Sequence, residues 1–386
     1  MACESVEKTL YIFIDKSYKN LHIWQRKYDL QFAGNVKSKE EMRMDKSLNS
    51  THRPTAAIIL AAGKGVRMQS QLPKVLNLLM GKPIVSYILD ACQKAHIERT
   101  VVVVGYQADR VRQTLGTYYE YVEQTQQLGT GHAFLMAAEA FKGFVGDFLV
   151  LAGDTPFLTG HVLKKLIKHH QKTEASATLM TAIIDPPPPY GRIIRNTSGH
   201  ILRIVEDNDA SHDEKKIIEV NTSHYCFKAE EVLPLLNQLK TNNDQGEYYL
   251  TDVIELFAKQ GKKIESLTTD EPQVLMGINT RMDLANAHTA FKEQITLKWM
   301  EQGVTIVDPH SVYIEPDVKI GRDTLILPFT SLLGKTSIGS GCVIGPQAKI
   351  TDAEIGENCR IEFSVVENRN IETGAVIGPF ASISGR

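Results

Sequence analysis

Three cations stand close together early in the chain. Lys64 and Arg67 lie within Gly63-Lys64-Gly65-Val66-Arg67-Met68, and Lys74 follows in Leu72-Pro73-Lys74. Gly63 and Gly65 lack side chains, so backbone N–H groups can approach a ligand there. Fixed cations beside free backbone donors suit a polyphosphate. The element that must position them is the apolar run Ala56 to Ala62, which suits a strand buried on both faces and ends at Gly63. Ligands of open α/β sheets bind at the carboxyl ends of such strands. Two familiar phosphate motifs are excluded. A G-x-G-x-x-G fingerprint needs a third glycine where Met68 stands, and a G-K-[ST] loop is ruled out because Pro83 follows Gly81-Lys82.

Further polar residues stand at the ends of predicted elements. Gly153-Asp154 follows the strand-like Phe148 to Ala152 and reads either as a turn cap or as a carboxylate placed for a metal. Gly277-Ile278-Asn279 follows a strand-like Gln273 to Met276 and opens a long helix, for which Asn279 is the natural N-cap. In Gln124-Thr125-Gln126-Gln127-Leu128-Gly129-Thr130-Gly131-His132-Ala133, Thr130 sits between glycines at a helix start. Tyr190-Gly191-Arg192 comes after four prolines, and Glu206 and Asn221 lie on later strands.

The elements between these residues alternate. Helical spacing at Ile84 to Ala95 precedes a β-branched strand at Thr100 to Val104, and Gln107 to Leu115, Gly131 to Phe141 and Gly160 to His170 continue the pattern. This alternation predicts an α/β fold with a Rossmann-like, mostly parallel sheet covered on both faces. Ala175 to Phe227 reads as an antiparallel addition over the site, and helices are expected at 230–239, 249–260 and 281–301. After Gln302 the period changes. Ile314, Ile320, Ile326, Leu332, Ile338, Ile344 and Ile350 recur every sixth residue, and after a slip Ile355, Ile361, Val366, Ile371, Ile377 and Ile383 continue. This is the hexapeptide pattern of a parallel β-helix, about four coils long.

The chain of 386 residues, 42% hydrophobic and 23% charged, is long enough for two or three domains. A formal charge of -2 gives no global field for nucleic acid, so an anionic substrate must be met by local cations. No apolar run approaches a membrane span, and no secretory leader is legible. The five cysteines are scattered, with no C-x-x-C pair, and read as reduced thiols of a cytoplasmic protein. Residues 1–54 show no sustained period and read as a poorly ordered extension, with a possible true start at Met42 or Met44. The expected organisation is then an α/β domain over 55–280, a linker helix over 281–303 and a short solenoid over 304–386.

The pattern L-A-A-G-x-G-x-R-M followed by L-P-K resembles the signature of sugar-1-phosphate nucleotidyltransferases. With L-A-G-D-T-P, Q-L-G-T-G-H-A and G-E-Y-Y-L-T-D (Gly246 to Asp252), the chain from about Thr55 onward is similar to the bacterial bifunctional N-acetylglucosamine-1-phosphate uridyltransferase/glucosamine-1-phosphate acetyltransferase family. The resemblance implies a Mg²⁺-dependent attack of the sugar phosphate on the α-phosphorus of UTP, releasing pyrophosphate. It implies that Leu60, Ala61, Ala62 and Gly63 cradle the nucleotide and that Arg67 and Lys74 offset its charge. Asp154 and Asn279 would hold the metal, while Gln124, Gly129 and Thr130 would read the uracil edge. Gly191, Glu206 and Asn221 would hold the sugar and its N-acetyl group. It also implies a left-handed β-helix that assembles as a homotrimer. The family's solenoid runs for many more coils and carries the acetyl-transfer residues there, so no acetyltransferase activity is expected of this sequence. The alternatives are a transferase for another sugar 1-phosphate, or a non-catalytic scaffold. A scaffold predicts decay of Arg67, Lys74, Asp154 and Asn279, all of which are present.

Overall fold

A computed structural model describes residues 53–385. The proposed extension and the alternative starts at Met42 and Met44 lie outside the described residues. Arg53 begins the described chain, and its guanidinium pairs with Asp147 at 2.9 Å and with Glu230 at 2.8 Å.

The apolar run after Pro54 forms β1 (Thr55–Leu60). A small hairpin, β2 (Leu78–Leu79) and β3 (Lys82–Pro83), leads into α1 (Ile84–Lys94). Then come β4 (Arg99–Val104), α2 (Ala108–Leu115), β5 (Glu120–Glu123), α3 (Thr130–Ala138), β6 (Asp147–Ala152) and α4 (Gly160–Thr173). The second half of the sheet contributes β7 (Ala177–Ile183), β8 (Arg192–Arg195), β9 (Ile201–Val205) and β10 (Glu219–Lys228), followed by α5 (Ala229–Leu236), α6 (Asp252–Lys259) and β11 (Ile264–Thr268). A 21-residue helix, α7 (Arg281–Glu301), leads out of the domain.

These strands form one nine-stranded sheet whose main path is β11-β7-β10-β6-β1-β4-β5. β1 lies in the middle, parallel to β4 and β6 on its two sides. Its side chains alternate. Ala56 and Ile58 pack into an aromatic core with Phe134, Phe148 and Phe227, whereas Ala57 and Ile59 face a second core containing Ile88, Val162 and Leu166. Burial on both faces explains why the strand has no polar residue after Thr55.

Two sequence expectations change. The segment from Ala175 to Phe227 is not simply an addition over the site. β7 and β10 belong to the main sheet, and β10 runs antiparallel to both β6 and β7. Only β8 and β9 branch off the main path. Second, the stretch before Gly277 is a 3₁₀ turn (Pro272–Leu275) and not a strand.

The hexapeptide repeat folds as expected into three stacked parallel sheets of five, five and four strands. It begins one strand earlier than the periodicity shows, at Thr305–Ile306. Ile314, Leu332, Ile350, Val366 and Ile383 stack in one column. The slip after Ile350 is a shortened corner, where Asp352 adopts a left-handed φ of 48°. Ile338 therefore pairs with Ile355, and the column stays in register. Helix α7 joins the two halves. Ala287 shares a core with Met68 and Ile278 of the first domain, and Tyr313 of the solenoid packs against that core. Among the described residues no helix is long and apolar enough to cross a membrane.

In such a solenoid each coil rests only on its neighbours. Ile350 is fully buried with a coil on either side, while Ile383 is partly exposed on the last rung. Ile350→Ala should therefore destabilise the solenoid by about 2–5 kcal/mol, and Ile383→Ala by clearly less. Urea unfolding followed by circular dichroism would compare the two.

Candidate active site

The carboxyl ends of β1 and β6 and the middle of the antiparallel β10 open into one cleft of about 870 Å³. Of the residues singled out from sequence, Leu60, Ala61, Ala62, Gly63, Arg67, Lys74, Gln124, Gly129, Thr130, Asp154 and Glu206 line it. Gly191, Asn221 and Asn279 do not line it, and each sits behind a residue that does.

The loop after β1 is built for an anion. Among the described residues the N–H groups of Gly63, Lys64 and Gly65 have no acceptor. A Cβ on Gly63 would meet nothing within 4 Å, so the protein's own packing does not require glycine there, and the open space lies in the cleft. Gly65 is different. Its φ is +67°, and a Cβ would stand 2.5 Å from the Cβ of Lys74. Glycine at 65 is what lets the lysine cross beneath the loop. The loop is held from below by Met68, which is fully buried against the core shared with α7.

Lys74 is the hub. Its ammonium donates to Asp154 Oδ2 and, at 3.0 Å, to Asn279 Oδ1. Both members of the ion pair are less than one-fifth exposed. Three loops hold this geometry. The N–H of Ile278 donates to the carbonyl of Asp154 at 2.9 Å, tying the loop after β6 to the loop before α7. The Asn279 N–H donates to Asp283 Oδ2 at 2.9 Å. Arg281 donates to Asn77 Oδ1 at 2.9 Å, and Asn77 in turn donates to the Lys74 carbonyl at 3.0 Å. Asn279 is not the N-cap expected from sequence. Thr280 is, in a capping box with Asp283. The cap thus fixes the backbone of the residue before it and leaves the Asn279 amide free to face Lys74.

The donor set suits a divalent cation. One carboxylate and one neutral carbonyl oxygen converge on a positive charge, which in this structure is the lysine ammonium. Among the described residues no cluster of three or more His, Cys, Asp or Glu could hold a metal by itself. An ion here must take its remaining oxygens from substrate phosphates and water, which is how Mg²⁺ is commonly bound. Arg67 is exposed at the cleft, while Lys64 turns away to stand 5.5 Å over the Tyr106 ring.

The opposite wall is a clamp between two loops. Gly129 has φ +103°, and a Cβ there would lie 2.6 Å from the Tyr248 carbonyl. The N–H of Gly131 donates to Tyr248 at 2.7 Å, Tyr248 donates to Leu128 at 2.8 Å, and Leu250 donates to Thr130 Oγ1 at 3.1 Å. The G-E-Y-Y-L-T-D stretch, whose role is opaque in sequence, therefore holds the Q-L-G-T-G-H loop in place. Gln124 is buried, and its Nε2 lies 3.0 Å from the Gly129 carbonyl and 3.0 Å from His132 Nδ1. His132 is thus a structural partner of Gln124. With its amide N–H groups engaged, Gln124 has its carbonyl oxygen left for a ligand.

At the far end Glu206 accepts from Thr251 Oγ1 at 3.2 Å. Burial, with Asp209, Asp252 and Asp207 nearby, raises its carboxyl above the usual range. Gly191 is packed close, since a Cβ would lie 2.9 Å from Ile204 Cγ2, with Glu206 Oε2 at 3.4 Å. Asn221 is buried behind Tyr225, donates to the phenol oxygen at 2.6 Å and accepts from the Ser223 N–H at 3.2 Å. Tyr225, Ser223, Gln127 and Thr251 line the cleft and were not selected from sequence. The alternation of Asn221, Ser223 and Tyr225 along one strand was the available signal for two of them.

Asp252 adds a pH dependence. Burial, with Glu255 and Asp209 close by, raises its carboxyl from 3.8 to about 6. The folded state then favours the proton more than the unfolded state does. The stabilisation is complete below about pH 4 and is lost as pH rises through about 6. Asp252→Asn should leave thermal stability unchanged near pH 4 and raise the melting temperature by about 2–4 °C at pH 7.5, as read by scanning calorimetry. A second expectation concerns Lys74. Its ammonium occupies the place a cation would take, so Lys74→Met should tighten Mn²⁺ binding to the ligand-free protein by about tenfold, or roughly 1.4 kcal/mol. Arg67→Met should not, because Arg67 does not touch the two oxygens. Electron paramagnetic resonance titration of free Mn²⁺ would decide.

Comparison with known proteins gives a consistent picture. The family model for the MobA-like NTP transferase domain matches residues 57–251, and that for the bacterial transferase hexapeptide (six repeats) matches residues 317–352. The chain is 43% identical over 327 residues to the bifunctional protein GlmU of Halalkalibacterium halodurans, covering 85% of this chain and 72% of that one. It is 44% identical over 327 residues to the GlmU protein of Exiguobacterium sibiricum, covering 85% and 73%. A crystal structure of UDP-glucose pyrophosphorylase complexed with UDP-glucose superposes with a TM-score of 0.52 at 19% identity, covering 62% of this chain and 99% of that one. At that identity the likeness speaks to the fold.

Proposed function

The chain belongs to the GlmU family, and we propose that it makes UDP-N-acetylglucosamine by transferring the uridylyl group of UTP to N-acetylglucosamine 1-phosphate, with release of pyrophosphate. The observation that carries this reading is the convergence of Lys74, Asp154 and Asn279 at the mouth of a cleft. One wall of that cleft is a loop of free N–H donors, and the other is a glycine-rich base-sized clamp. In this reading the division of the chain is a transferase domain over 55–280, a linker helix over 281–303 and a solenoid from 304 onward.

The chemistry needs no protein nucleophile. The attacking phosphate oxygen is already anionic, so a general base is also unnecessary. What opposes reaction is repulsion between two phosphorylated molecules, and the remedy is positioning together with charge neutralisation. The N–H groups of Gly63, Lys64 and Gly65 receive phosphate oxygens of the nucleotide, with Leu60, Ala61 and Ala62 forming the floor. Lys74 moves from Asp154 and Asn279 to the phosphates, and Arg67 reaches in from the rim. Gln124 presents its carbonyl oxygen to the uracil N3–H, and Gly129 and Thr130 frame the same edge. An amide oxygen there disfavours cytosine, whose N3 is itself an acceptor. Gly191, Glu206 and Asn221 shape the sugar end. Asp154 and Asn279 would hold Mg²⁺. When bound, the ion offsets charge on the phosphates and fixes their orientation.

The solenoid completes the reading as a trimerisation module. Phe329, Phe380 and Val376 are exposed on its surface, and a partner copy would cover apolar groups of this kind.

The test is pyrophosphate release measured over a panel of nucleotides and sugar 1-phosphates. UTP with N-acetylglucosamine 1-phosphate should give the highest kcat/KM, dependent on a divalent ion. Asp154→Ala and Lys74→Ala should each lower kcat by about 100-fold, or ~3 kcal/mol, with the fold intact by circular dichroism. Turnover near that of the parent protein in either variant would remove that residue from the mechanism.

A further inference from the structure

At the sugar end of the cleft the group that faces the ligand is a phenol. Tyr225 lines the cleft although the residue as a whole is only 2% exposed. Its ring is fixed by stacking on Phe227, with centroids 5.5 Å apart. Its oxygen accepts a hydrogen bond from Asn221 Nδ2 at 2.6 Å. Asn221 is buried, and its own carbonyl oxygen is taken by the Ser223 N–H. The amide therefore cannot rotate to present an acceptor to Tyr225 without losing both bonds. The phenol oxygen is thus the acceptor of this pair, and its proton must go elsewhere. Besides Asn221, the side chain nearest that oxygen is the Ser223 hydroxyl, which is exposed in the cleft and can turn to solvent, so no buried acceptor holds the proton among the described residues. The strand irregularity between Asn221 and Tyr225, with Ser223 at φ 61°, is the local feature that stacks the amide behind the ring.

We propose that Tyr225 is a specificity-determining residue that donates its O–H to the acyl oxygen of the acetamido group on the sugar 1-phosphate, and that Asn221 is the positioning residue that points this donor into the cleft. The inference rests on the uridylyl-transfer reading and goes beyond it by assigning which atom of the sugar is read and by what. A carbonyl oxygen gives the buried phenol a stronger acceptor than the exposed Ser223 hydroxyl beside it. A free amino group is charged at neutral pH and can only donate, so it leaves the phenol unpaired. The 2-hydroxyl of an unacetylated hexose is a shorter group than an acetamide and does not reach as far. Burial and the neighbouring Glu206 carboxylate both keep Tyr225 protonated, so it remains a donor throughout the working pH range. Discrimination through a buried polar group left without its partner is among the strongest that binding can supply.

The experiment is steady-state pyrophosphate release from UTP by the full chain, comparing N-acetylglucosamine 1-phosphate with glucose 1-phosphate. Tyr225→Phe removes one oxygen and keeps the ring. It should lower kcat/KM for the acetylated sugar by about 10–100-fold, mainly through KM, and leave that for glucose 1-phosphate and the KM for UTP unchanged. Asn221→Ala frees the phenol to rotate and should lower kcat/KM for the acetylated sugar by less than Tyr225→Phe does, and by more than for glucose 1-phosphate. It also serves as the deciding variant if Tyr225→Phe does not fold. If either folded variant keeps the acetyl preference of the parent protein, or loses activity equally toward both sugars, the assignment is overturned while the uridylyl-transfer reading stands. If the parent protein turns over neither sugar with UTP, that reading falls and this assignment falls with it.

Discussion

The whole site depends on one ammonium group. Lys74, Asp154 and Asn279 come from three separate loops and meet because Lys74 can donate to both oxygens at once. An Asp and an Asn brought together without a cation would leave a half-buried carboxylate facing an amide dipole, which costs free energy. The lysine removes that cost in the ligand-free protein. It also keeps the two oxygens facing each other across a gap the size of a cation. The proposed shift of the same residue to the phosphates draws on an ammonium on a flexible four-carbon stem, which moves easily, unlike a guanidinium fixed in a fork.

The parts of the molecule farthest from the reaction are organised around that hub. The capping box of Thr280 and Asp283 starts α7, and the same Asp283 carboxylate holds the Asn279 N–H. Met68 from the anion loop and Ile278 from the loop before α7 are buried together with Ala287 of the helix. A helix that leads to the solenoid therefore also sets the position of two loops of the cleft. Lys82 adds an ion pair with Asp317 on the solenoid at 2.9 Å, but both side chains are partly exposed, so the pair contributes little to stability beside the shared apolar core. Packing, more than charge, makes the two halves one unit.

Much of this was legible in the sequence, and the exceptions have a common cause. β1, the glycine loop, the bounds of α7 and the hexapeptide columns are local patterns of period 2, 3.6 or 6, and they appear where those periods place them. The insertion of β7 and β10 into the main sheet was not legible, because strand order is a long-range property and an antiparallel strand buried on both faces has the same composition as a parallel one. The cap of α7 was misplaced by one residue, although Thr280-Arg281-Met282-Asp283 holds a capping box in plain sight. Asn279 is an equally good cap in isolation, and only the reciprocal bond to Asp283 decides between them. Tyr225 was missed because it sits in an aromatic core run with Phe227. The one local signal was its alternation with Asn221 and Ser223, which places the three on one face of a strand but not the hydroxyl in a cleft.

The two ends of the cleft solve different problems with different materials. On the proposed assignment, the ligand at the phosphate end carries several negative charges that change position during the reaction, and the protein answers with cations and backbone N–H groups. At the sugar end the ligand is neutral and does not react. There the protein uses fixed groups: a carboxylate held by Thr251, a phenol held by Asn221, and glycines at 129 and 191 that admit close packing. Glu206 can stay buried at that end only because its raised carboxyl and the Thr251 hydroxyl share the burden of desolvation. Were it placed beside Lys74 it would draw the ammonium away from Asp154. On the proposed assignment, the separation between charge-bearing and charge-poor walls would let one cleft bind a nucleoside triphosphate and still choose among sugars by their uncharged substituents.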